Sequence, residues 1–265
     1  MRAVKALATL DGVAPGDHVC WKVDDRHGLA GGLEPFVADG TLFGDRLVIV
    51  GSTSSLKEVG RLRSVPESAV MIDAREQGGS LALTVDHEVQ RAKEAGITST
   101  RVLACREPGA EALAGLVHQE LGLDESAALS GATVVCAYLP GPWGAGELEQ
   151  VMCVHPQTLG SRPGLPGFQM FRTGSEDWKV SGVIDSDGAQ AFGTVLRAAS
   201  LRTPSIRLRF DEVTLMDAAG MRALVDAATH LPGRCVVIEG ANRIVKLSWE
   251  LSGYAVPEIP VEVLA

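Results

Sequence analysis

The chain has 265 residues, 46% hydrophobic and 22% charged, which is enough to bury two cores of ordinary size and too apolar for a disordered chain. A net charge of -9 and a pI of about 5.2 argue against a non-specific nucleic-acid binder, which needs a basic surface. No apolar run reaches the roughly 18 residues of a membrane span. The first ten residues, with Asp11 straight after, lack the continuous apolar core of a signal peptide.

In chain order, short and nearly continuous apolar runs predict strands over 19–23, 46–50, 69–72, 100–104 and 133–137, as expected for strands covered on both faces. Between them, helical patterns cover 28–43, 54–59, 84–95, 111–121 and 146–155. This alternation implies a parallel α/β sheet. A break follows at 157–168, where Gly and Pro crowd a stretch that sustains neither a helix nor a central strand. Beyond it come a strand or hairpin over 169–184, a helix over 188–199, a strand over 206–210, a helix over 218–229, a strand over 235–239 and a helix over 244–253. The reading is two α/β domains, 1–159 and 168–265, joined by a linker over 160–167. No internal repeat or low-complexity tract is present.

The five cysteines, Cys20, Cys105, Cys136, Cys153 and Cys235, are odd in number, without Cys-x-x-Cys spacing and mostly within apolar runs. They read as reduced thiols of a cytoplasmic protein rather than a disulfide frame. His18/Cys20 and Cys153/His155 form two pairs at i, i+2 spacing, which on extended backbone would each point to one face and together supply four zinc ligands. The helical pattern places the second pair at a helix end, so buried thiols and hydrogen-bonded imidazoles are the expectation, with no metal and no cofactor.

The ordered set Gly16-Asp-His-Val-Cys20, Leu33-Glu-Pro-Phe36, Gly44-Asp-Arg46, Cys136-Ala-Tyr138 and His155-Pro156 resembles the MEDS domain, a sensory module of methanogens and methylotrophs. The match covers about 14–159. It departs from the family at Cys105-Arg-Glu-Pro108 and at Leu139, where relatives carry a different turn and an Asp. The resemblance implies a small-molecule pocket lined by His18, Cys20, Tyr138 and His155, with Trp21 and Trp143 as candidate apolar wall. The domain also looks like a degenerate relative of RecA-type ATPases. The phosphate-loop position reads Gly51-Ser-Thr-Ser-Ser-Leu56, with Lys57 lacking the Gly before it and the hydroxyl after it that a working loop needs. A Ser-rich helix cap without ATP hydrolysis is expected there.

Gly182-Val-Ile-Asp185, Asp217-Ala-Ala-Gly220, Glu239-Gly-Ala-Asn-Arg-Ile-Val-Lys246 and Leu251-Ser-Gly-Tyr254 resemble STAS domains, the fold of anti-sigma factor antagonists, over roughly 167–265. The resemblance implies a partner surface of Asp185, Asp217, Ala218, Ala219, Gly220 and Met221, and a serine-kinase-type anti-sigma factor as partner. In regulated relatives a hydroxyl after the Asp is phosphorylated; Ala218 and Ala219 have none, and neither Thr214 nor Ser248 is in the motif. The expected protein is a cytoplasmic signalling protein that acts by binding, without catalysis. The resemblance and the apolar helix faces are compatible with a homodimer. Two alternatives stand beside it: a nucleotide- or small-molecule-using α/β enzyme, against which the lack of a Gly-x-Ser-x-Gly elbow counts, and a STAS-like scaffold subunit of a larger complex.

Overall fold

The structure is a computed structural model that describes residues 4–75, 80–144, 146–160, 167–174, 177–203, 205–231 and 235–264, the side chains of residues 26 and 27 apart. The N-terminal half runs β1 (Lys5–Leu7), β2 (His18–Lys22), α1 (Arg26–Phe43), β3 (Arg46–Gly51), α2 (Thr53–Val59), β4 (Val70–Asp73), α3 (Leu81–Glu94), β5 (Thr100–Arg106), α4 (Leu113–Ser130), β6 (Thr133–Tyr138), α5 (Glu147–Met152) and β7 (Gln157–Leu159). Its seven strands form a parallel sheet in the order β1-β7-β2-β6-β5-β3-β4. The second half runs β8 (Phe168–Arg172), β9 (Asp177–Ile184), α6 (Ala189–Ser200), β10 (Ile206–Met216), α7 (Ala218–Thr229), β11 (Val236–Glu239), α8 (Arg243–Leu251) and β12 (Val261–Val263). Its five strands are ordered β12-β11-β10-β9-β8, parallel except for the β8–β9 hairpin. The architecture is therefore the expected pair of α/β units.

The differences from the sequence reading have local causes. Gln157–Leu159, placed in the break, is strand β7, and it pairs with both β1 and β2. Of the expected linker, 161–166 lie outside the described residues. Helix α4 does not stop at 121 but continues to Ser130 and ends at Gly131, whose φ of 76° is a left-handed cap. Gly122 resembles a stop signal but serves a close approach: a Cβ there would lie 2.9 Å from Ala82 Cβ of α3. Strand β10 outruns the predicted 206–210 because register shifts at Arg209/Glu212 and Val213/Leu215 break the alternation of apolar residues.

Alternate residues of a strand face opposite sides. On one side of the large sheet Val19, Trp21, Leu47, Ile49, Leu103, Val135 and Ala137 pack against Leu29, Leu33 and Phe36 of α1. On the other, Cys20, Val48, Val102, Val134 and Cys136 join Leu116, Val117 and Leu121 of α4 in a cluster that continues into Phe168, Trp178 and Phe192 of the second half. Helix α4 thus lies between the sheet and the second half and is apolar on both sides, which erases the one-sided pattern of a surface helix.

Candidate functional site

The site sits where β2, β6, α4 and the α5–β7 turn meet. Parallel pairing sets Cys20 beside Cys136 and His18 beside Val134, so His18, Cys20, Cys136 and Tyr138 share the face toward α4. Helix α4 answers with Glu120 and Asp124, four residues apart and therefore on one side of the helix. His155 follows α5 and closes the group. All of these side chains are buried, and His18, Glu120, Asp124, Cys136 and His155 are 0% exposed.

His18 Nε2 lies 3.3 Å from Glu120 Oε2, and His18 Nδ1 lies 3.4 Å from Asp124 Oδ1. Cys136 Sγ donates to Glu120 Oε2 at 3.0 Å and lies 3.5 Å from His18 Nε2. The two imidazole rings are 4.1 Å apart, and His155 Nε2 is 3.4 Å from Glu120 Oε2 without making a hydrogen bond. His155 Nδ1 donates to the Val151 carbonyl at 3.0 Å. The second oxygen, Glu120 Oε1, takes Arg106 instead, at 2.8 Å from Nε and 2.6 Å from Nη2.

This geometry shifts each group. Burial alone would raise the Glu120 carboxyl, but Arg106 and the two imidazoles outweigh it and hold it well below the usual range. Burial would lower His18, and the carboxylates of Asp124 and Glu120 reverse that to a raised value. Burial and the neighbouring His18 lower His155. Burial, then the charge of Glu120, pushes Cys20, Cys136 and Tyr138 well up.

A family model for the MEDS domain, described as the methanogen/methylotroph, DcmR sensory domain, matches residues 17–156. The chain belongs to the MEDS family. No curated protein matches it.

Of the four expected pocket residues, the MEDS domain brings His18, Tyr138 and His155 into one group, with ring centroids of Tyr138 and His155 6.0 Å apart. Cys20 lies on the same face, paired in register with Cys136. Trp21 points to the opposite face of the sheet and is part of the α1 core, so it is no wall of this site. Trp143 meets Tyr138 edge-on at 5.7 Å and donates to the Leu139 carbonyl. Glu120, Asp124, Cys136 and Arg106 escaped the sequence reading as site residues. A usable signal was present, since two acids four apart among Leu116, Val117 and Leu121 are out of place on an apolar helix.

An open cavity of the MEDS domain lies next door, with a volume of about 490 Å³, lined by Ser52, Arg75, Cys105, Arg106, Glu107 and Gln119 among others. It occupies the expected phosphate-loop end of the sheet. There Ser52 caps α2 and donates to Glu107 Oε1 at 2.6 Å, so a carboxylate stands at the mouth. Arg106 lines the cavity and also holds Glu120, which ties cavity and buried group together.

The buried group also reaches the second half. Asp124 Oδ2 accepts the Arg172 amide at 2.8 Å, the Gln169 side chain donates to the His155 carbonyl at 3.2 Å, and the Met170 amide donates to the Cys153 carbonyl at 2.7 Å. Next along α4, Glu125 binds Arg172 at 2.6 Å and Arg202 at 2.7 Å.

In the second half, Asp217 caps α7. Its Oδ1 accepts the amides of Ala219 and Gly220 at 2.8 and 2.9 Å, and its Oδ2 accepts the Ser186 amide at 3.1 Å. Ala218 is exposed, while Asp185, Asp217 and Ala219 are half-buried. Gly220 and Met221 face inward, so they support the expected contact surface from beneath rather than forming it. A Cβ at Gly220 would lie 2.6 Å from the Ile184 carbonyl oxygen, and that close approach requires glycine.

No helix among the described residues is long and apolar enough to cross a membrane.

Proposed function

We propose that the chain is a sensor-controlled antagonist of an anti-sigma factor, in which the MEDS domain receives the signal and region 168–265 delivers it by protein binding. The supporting observation is the double role of Asp217. One carboxylate holds the start of α7 and the Asp185–Asp187 turn together, leaving Ala218, Ser186 and Asp187 exposed side by side. This is the strand-to-helix corner at which the resemblance to STAS domains puts partner contact. Ala218 and Ala219 carry no hydroxyl, so control passes to the MEDS domain instead of a phosphoryl switch. The action is surface occlusion in the cytoplasm, with no bond chemistry. A ligand bound by the MEDS domain can act only if it favours one arrangement of the two halves over another.

The test is recovery of a serine-kinase-type anti-sigma factor from native cytoplasm on tagged protein. Wild type is expected to retain it and Ala218→Lys to lose it, since Ala218 is exposed and the substitution leaves the Asp217 cap intact. Equal recovery by both, or recovery by neither, overturns the reading.

A further inference from the structure

We propose that His18, Glu120, Cys136 and His155 form a binding site for one divalent transition metal ion of the zinc type. One donor atom from each of the four lies within 4.8 Å of the others. Zinc with Zn–N and Zn–O bonds of about 2.0–2.1 Å and a Zn–S bond of about 2.3 Å separates neighbouring tetrahedral donors by about 3.3–3.6 Å. Glu120 Oε2 lies 3.3 Å from His18 Nε2 and 3.4 Å from His155 Nε2, and Cys136 Sγ lies 3.5 Å from His18 Nε2. These edges match. The Sγ–Oε2 edge, at 3.0 Å, is shorter and is spanned by a hydrogen bond, and the two edges from His155 to His18 and to Cys136 lie within 4.8 Å.

The decisive feature is His155. Its Nδ1 faces a carbonyl at 3.0 Å and so carries the proton, which leaves Nε2 as a lone pair. That lone pair is buried, has no hydrogen bond, and faces a carboxylate oxygen. Two electron-rich atoms so placed repel unless a proton on Nε2 or a metal ion stands between them, and the second is what the neighbouring thiol and imidazole favour. The remaining arrangement fits. Both imidazoles offer Nε2 inward; Nδ1 of His155 donates to the Val151 carbonyl, the outer contact of a metal-bound histidine, and Nδ1 of His18 stands 3.4 Å from Asp124 Oδ1, short of a hydrogen bond but facing the same kind of outer oxygen. Glu120 divides its oxygens, Oε1 for Arg106 and Oε2 for the centre.

Cys136 coordinates as the thiolate, its proton leaving to solvent as the metal–sulfur bond forms. Thiolate and Glu120 then balance the dication, and Arg106 balances Asp124. Mixed N, S and O donors suit zinc and not magnesium or calcium. The set differs from the one suggested by spacing, since Glu120 and Cys136 replace Cys20 and Cys153. The inference is independent of the antagonist reading.

Full-length Cys235→Ser protein, stripped with chelator under reducing conditions, is titrated with Zn²⁺ and with Co²⁺ alone. The expected result is one equivalent bound per chain, a thiolate-to-cobalt charge-transfer band, and a raised melting temperature. Cys136→Ser should abolish the band, Cys20→Ser should retain it, and Asp124→Asn should weaken binding about 10- to 100-fold. Failure of this otherwise native protein to bind either ion overturns the site, as does a cobalt band that survives Cys136→Ser. Should a variant misfold, stoichiometry, charge-transfer band and melting shift of the otherwise native protein still decide.

Discussion

On one face of the seven-stranded sheet, β2, β5 and β6 present Val19, Trp21, Leu103, Val135 and Ala137 to α1; on the other they present His18, Cys20, Arg106, Cys136 and Tyr138 to α4. The same strands supply both, residue by alternate residue. The first face needs only volume and apolar area, and neighbours of similar size could replace one another there. The second buries Glu120, Asp124, Arg106 and two imidazoles, groups whose removal from water costs free energy unless every partner is in place. Well-packed hydrophobic residues would often be as stable, so stability alone does not account for the polar face.

The largest expected effect is on that face. Glu120→Ala strips the partner from Arg106 and should cost about 3–5 kcal/mol in urea unfolding of the metal-free protein. Ile49→Val on the apolar face should cost about 0.5–1.5 kcal/mol, because the residue is fully buried but loses one methyl. Equal costs for the two would remove the contrast. Arg222→Ala, at an exposed pair with Asp226, should stay within about 0.5 kcal/mol and sets the floor.

The thiols sharpen the comparison without a stability measurement. Burial, then the carboxylates of Glu107 and Glu58, pushes Cys105 up to about 12. Because the thiolate is the reactive form, alkylation at Cys105 should rise with pH and saturate only around that value. At about pH 8, native protein should take one equivalent of iodoacetamide, at exposed Cys235, as read by peptide mass. Labelling of Cys20 or Cys136 under native conditions would show that the polar face opens to solvent.

Much of this organisation was legible in the chain. The apolar runs give β2, β3, β5 and β6 within about two residues because strands buried on both sides read as unbroken apolar runs, and edge strand β4, only partly buried, is legible from its Val-Met-Ile run. The three-residue edge strands β1 and β12 carry too few side chains for a pattern, and β7 hid in a Gly- and Pro-rich stretch. The second half of α4 was lost because Gly122 mimics a terminus and because a helix buried on both sides has no amphipathic stripe. That loss also hid Asp124. His18, Cys20, Tyr138 and His155 were visible as pairs and motifs along the chain, whereas Glu120 joins them only across the gap between helix and sheet. Spacing within a strand says nothing about which helix will cover it.

Helix α4 has one further consequence. It turns Glu120 toward the first half and Glu125 toward Arg172 and Arg202 of the second, with Asp124 between them facing both His18 and the Arg172 amide, while its apolar residues belong to a core shared by both. The halves are joined in sequence by residues 160–167, but in energy they are joined by this helix. Heating should therefore melt them together, in one cooperative transition. The same helix limits how such proteins can be recombined. A gene fusion that exchanged the second half would also have to supply a wall that fits α4, so inheritance of the sensor would carry with it the shape of whatever it speaks to.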